Sequence, residues 1–149
     1  MSTTHIEAFD HTVQITNEWL RDISTRLGDE NRRHAYLALR GTLHALRDFL
    51  PIDESAHLSA QLPMLVRGIY FEGWKPARNP EKYRSQEDFL GHVKEELRHV
   101  RPMDPQDGAR AVFKVINHHI DPGEAADVLQ ALPKQIRIMW PAGGDPTSA

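Results

Sequence analysis

Residues 39–70 read LRGTLHALRDFLPIDESAHLSAQLPMLVRGIY, and residues 109–140 read ARAVFKVINHHIDPGEAADVLQALPKQIRIMW. Laid over one another, seventy positions apart, the two stretches need no gap. Leu43 meets Phe113, Leu46 meets Ile116, Leu50 meets Ile120 and Leu58 meets Val128. Leu62-Pro63 falls on Leu132-Pro133, and Ile69-Tyr70 on Met139-Trp140. In both stretches apolar residues recur in steps of three and four, the period of one helical face, and nowhere does a period of two persist. The pattern predicts an all-α chain carrying one short four-helix motif twice in tandem.

Working outward, Ala35, Leu39, Leu43, Leu46 and Leu50 form the stripe of a helix from about Arg32 that Pro51 stops. Ahead of it, Phe9, Val13, Leu20, Ile23 and Leu27, with Thr16 filling the gap, predict a leading helix ended by Gly28. Its counterpart is the stripe Phe89, Val93 and Leu97, matched at a shift of eighty, behind a capping signal at Ser85 and Asp88. Asp53 or a neighbour caps a short helix through Ala60, and Pro63 opens another that closes at Gly73. In the second copy the helix starts are Asp104-Pro105, Asp121-Pro122-Gly123-Glu124 and Leu132-Pro133, the last running to Trp140. The expected organisation is a single domain over 1–149. It has repeats at 9–73 and 85–141, an irregular linker at 74–84 rich in proline and polar residues, and a flexible tail at 142–149. Two copies are too few for an open solenoid, so a compact pair of bundles sharing one dry seam is expected.

An apolar share of 40% is too high for a disordered chain. With no cysteine, thiolate catalysis, disulfides and thiolate metal sites are excluded. No basic start followed by an apolar run marks a secretory signal, and no apolar stretch approaches a membrane span, so a cytoplasmic location without membrane contact is expected. The formal net charge of −3 argues against a dedicated nucleic-acid binder. The charge is uneven: Glu7, Asp10, Glu18, Asp22, Asp29 and Glu30 crowd the first 31 residues against Arg21 and Arg26.

Among the nine histidines, His92, Glu96 and His99 fall at i, i+4 and i+7 and offer a candidate metal face. A di-iron bundle needs a second Glu-x-x-His, which the chain lacks, and a solvated helix face explains the same spacing. There is no Gly-x-Ser-x-Gly elbow, Walker loop or dinucleotide turn. Neither an enzymatic role nor a cofactor is expected.

Thr16-x-x-Trp19-Leu20, Leu43-His44-Ala45-Leu46-Arg47-Asp48, Ala60-Gln61-Leu62-Pro63, Arg67-Gly68-x-Tyr70 and Gly73-Trp74 together carry a resemblance. Through them the chain, from about Phe9 to Pro141, resembles the prokaryotic family known as domain of unknown function 2267. The resemblance implies a small helical protein and carries no activity or catalytic residue to transfer. The second copy departs from the motif, with no glycine after Arg137.

Arginines recur with the repeat: Arg40 with Arg110 and Arg67 with Arg137, as does Glu54 with Glu124. The glutamates fit the third position of capped helices. The arginines fit either pairing and capping at helix junctions or an interaction surface built twice. Together with His44, Arg47, Tyr70 and Trp74 they make up the candidate interaction surface. Residues 64–74 hold more large apolar side chains than one face of a short helix buries, which points to the junction of the copies or to an exposed patch. The leading expectation is a non-enzymatic interaction or regulatory accessory module that binds an unknown protein partner, or itself, through that junction. The second is a weak DNA- or RNA-binding regulator using the stripe Arg33, Arg40, His44 and Arg47. A metal-dependent helical enzyme is the third.

Overall fold

A 21-residue helix, α1 (Glu7–Leu27), opens the fold, and a left-handed turn at Gly28 closes it. The glycine takes φ +66, and its N–H bonds the Ser24 and Thr25 carbonyls; a Cβ there would be strained. The computed structural model describes residues 4–82, 85–100 and 103–141, so the expected tail at 142–149 lies outside the described residues. The helices that follow are α2 (Arg32–Phe49), α3 (Ile52–Ala60), α4 (Met64–Phe71), α5 (Gln86–Leu97), α6 (Pro105–His119), α7 (Pro122–Ala131) and α8 (Lys134–Arg137). No strand occurs among the described residues, so the chain is all-α and forms one helical domain.

Local chemistry sets most of these boundaries. Asn31 and Asp104 accept backbone N–H groups at the starts of α2 and α6. Ser85 and Asp88 form a full capping box at the start of α5. Prolines stand at the N-caps of α3, α4 and α8, where a missing N–H costs nothing. Pro63 caps α4 rather than entering it, and the last helix is four residues, not a run to Trp140. Within 74–84, Pro76–Arg78 forms a short 3-10 turn where irregular chain is expected.

The core gathers around α2, which packs against α1, α4, α5 and α6. Leu39, Leu43, Leu46, Phe49 and Leu50 are fully buried, as are Val112, Phe113, Val115 and Ile116 of α6. Gly41 lets α5 approach closely: a Cβ there would lie 3.1 Å from Glu96 Cβ and 3.2 Å from the Val93 carbonyl.

The stripe expected on α1 holds over its later turns, where Leu20 and Leu27 pack on the core, and fails at its start. Phe9 and Val13 are each 45% exposed, whereas Thr12, Thr16, Trp19 and Ile23 are buried. Trp19 decides this face, because the largest side chain gains most from burial; its ring stacks on His119 at 4.9 Å. Phe89 of α5 meets Phe49 edge-on at 5.3 Å. Trp19 and Phe89 stand seventy positions apart, as do His119 and Phe49. At its start α1 is also longer than α5, 21 residues against 12.

Candidate functional site

Three basic residues on one face of α2 converge on the end of α4. Arg47, 6% exposed, donates from Nη1 to the carbonyls of Tyr70 at 3.1 Å and Glu72 at 2.7 Å. His44 Nε2 lies 2.7 Å from the Ile69 carbonyl and must donate, because that oxygen can only accept. Burial, with Arg47 and Arg40 nearby, holds the His44 imidazole below its ordinary pKa and therefore neutral. Arg40 is held between the Glu72 carboxylate and Glu96 Oε1, the latter at 3.1 Å. The Arg47 cation and the neutral His44 thus supply donors to carbonyls at the negative end of the α4 dipole.

The expected hydrated basic stripe is therefore not one. Arg40, His44 and Arg47 are engaged inside the fold, and Arg33 alone of that set is an exposed cation. Arg67 and Arg137 share one task. Arg67 donates to the carbonyls of Ser59 at 3.0 Å and Leu62 at 2.9 Å, closing α3; Arg137 donates to the Leu132 carbonyl at 3.0 Å, closing α7. Tyr70 is fully buried, its hydroxyl 2.7 Å from Ser55 Oγ, which donates onward to the Arg47 carbonyl at 3.0 Å. Burial pushes the Tyr70 phenol well above its usual range, so it stays protonated. Trp74 donates from Nε1 to Asn79 Oδ1 at 2.7 Å, and Asn79 in turn holds the Leu50 carbonyl at 2.8 Å. Arg110 stands apart from this set, exposed on α6.

The metal face does not assemble. Glu96 is taken by Arg40, His92 Nδ1 faces Asp48 Oδ2 at 3.6 Å, and His99 lies beyond the end of α5. Burial alone would raise the Asp48 carboxyl, but hydrogen bonds from His92 and Arg47 outweigh it and hold the group ionised. No group of three or more potential ligands that could hold a metal occurs among the described residues.

Two features were hidden from the sequence. Glu54 and Glu124 do sit at the third positions of α3 and α7, but they also face each other where those helices pack. Oε2 of each is buried and without a partner. Burial first, and Glu54 second, push the Glu124 carboxyl up to about 8. The other feature is an apolar strip on the surface. Thr12 Oγ1 accepts the Leu65 N–H at 2.9 Å, fixing the start of α4 against α1. Beside this bond Phe9, Val13, Met64 and Leu65 are each between 42% and 48% exposed, with Ile6 one turn further out. Helical spacing places Phe9 and Val13 on the stripe of Thr16 and Ile23 but does not show where along the helix that stripe stops being covered.

No helix among the described residues is long and apolar enough to cross a membrane. Comparison with curated proteins gives no significant match. A family model described as Uncharacterized conserved protein (DUF2267) matches residues 16–139. The match spans most of the chain, and the chain belongs to that family.

Proposed function

We propose that this is a non-enzymatic binding module, made of two related helical units, whose docking face is the apolar strip formed by the outer end of α1 and the start of α4. The observation that carries this is the exposure of Phe9, Val13, Met64 and Leu65 on two helices pinned together at Thr12 and Leu65. Ile6, Phe9 and Val13 follow one another at helical spacing, the arrangement that receives a second helix. Glu7 and Asp10 lie in the first turn of α1 beside the strip. The partner that fits is an amphipathic helix of another protein, apolar on one face and flanked by lysine or arginine. The convergent polar groups around Arg47 are consumed by backbone carbonyls and are not free to hold a partner.

A synthetic amphipathic helix of leucine and lysine is the probe. Its fluorescence anisotropy is expected to saturate with the intact protein and to weaken at least ~tenfold in V13E/L65E, since a charge buried against an apolar face is costly. Equal binding by the two proteins contradicts the reading. A dimer in light scattering that the same substitutions dissolve would reassign the face to self-association.

A further inference from the structure

Phe49 and His119, and Phe89 and Trp19, hold matching places seventy residues apart, so the contact of α2 with α5 has a counterpart in the contact of α6 with α1. The two are chemically opposite. In the first, Arg40 is held by Glu96 and Glu72, with His44 one turn on, and Gly41 lets α5 come close. In the second, Arg110 stands for Arg40, Lys114 for His44, Ala111 for Gly41 and Arg26 for Glu96. An arginine thus replaces the carboxylate that closes the first contact. A methyl group replaces the hydrogen that lets its helices approach. What remains is a groove of about 230 Å³ lined by Arg26, Leu27, Asp107, Arg110, Ala111 and Lys114.

We infer that this groove between α1 and α6 binds a small phosphate-bearing ligand. A phosphate group and a few further atoms fit within that volume. Arg26 is oriented by Asp22, whose Oδ1 lies 3.3 Å from Nε. Arg110 is oriented by Gln106: with the amide turned to present its oxygen, it accepts from Nε at 3.2 Å and Nη2 at 3.0 Å. These bonds fix the planes of both guanidinium groups, and bidentate recognition of a tetrahedral oxyanion requires such fixing. Lys114 adds a mobile point charge from the same face of α6. Asp107, exposed at the rim, is the one carboxylate lining the groove, and it favours a ligand whose non-phosphate end carries an amine or hydroxyl.

The inference is independent of the docking strip, and its test leaves that strip intact. Isothermal titration at fixed ionic strength would use inorganic phosphate in one arm and phosphoserine in the other. Saturable binding is expected in both arms, tighter for phosphoserine. R110Q/K114Q is expected to weaken it at least ~tenfold, as loss of charge-assisted bonds does. Arg26→Glu, which restores the carboxylate found in the first contact, should abolish binding while circular dichroism shows the helices unchanged. R33Q, at an exposed cation that does not line the groove, should bind like the parent protein. Non-saturating heats, or equal affinity in the parent and R110Q/K114Q proteins, would overturn the inference.

Discussion

Arg47 shows how one side chain ties two helices. It lies on α2, caps the end of α4 through two carbonyls, and pairs through Nε with Asp48 Oδ1 at 2.9 Å. Replacing it with alanine leaves those carbonyls without a donor and Asp48 with His92 alone. The loss expected is about 3 kcal/mol, the scale on which breaking a buried charge pair destabilises a protein, measured by urea denaturation. Glycines give a contrast at the same scale. G41A must push α5 outward and is expected to cost about 1–3 kcal/mol. G68A, with nothing within 4 Å of its new Cβ and an ordinary helical backbone, should stabilise by about 0.5–1 kcal/mol. Equal effects at the two positions would mean that α5 does not approach α2 as described. The recurrence of Arg67 and Arg137 is plain in the sequence, but their acceptors are backbone carbonyls, which every sequence has everywhere. Spacing therefore shows that these arginines matter without showing what they hold.

Between elements, the contact of α3 with α7 places a carboxyl against a carboxyl. Asp121 and Asp127 add to the negative field around Glu124. Its native pKa of about 8 stands above its ordinary 4.5, so the folded state holds this proton more tightly than the unfolded chain. The resulting stability is whole below about pH 4.5 and drains as pH rises through about 8. His44 acts in the opposite sense: its depressed pKa makes its stability present above the ordinary 6.5 and lost as pH falls below it. The melting temperature is accordingly expected to fall between about pH 6.5 and pH 8. E124Q, which keeps a hydrogen-bond donor without a proton to lose, should flatten that alkaline limb. An unchanged slope in E124Q would show that the two carboxyls are not coupled. The positions of Glu54 and Glu124 on their helices were legible from the caps, but their meeting was not. Which helices pack against each other is a property of the assembled fold.

For the whole molecule, the stripes at 39–50 and 109–120 made the all-α class and the central helices readable, because their leucine and branched residues bury on one side only. The leading helix was harder. Its apolar residues share one broad face, buried over the later turns at Thr16, Trp19 and Ile23, while the first turns leave Phe9 and Val13 as a surplus at the surface. Periodicity does not mark how far along a helix its packing partners reach. That surplus, shared with Met64 and Leu65, is the basis of the binding role proposed for the molecule. Amide chemical-shift mapping with the leucine–lysine helix tests it most directly. Shifts concentrated in residues 6–16 and 64–69 are the expected result. Shifts spread evenly over the domain, or centred on α6 and α7 instead, would contradict it.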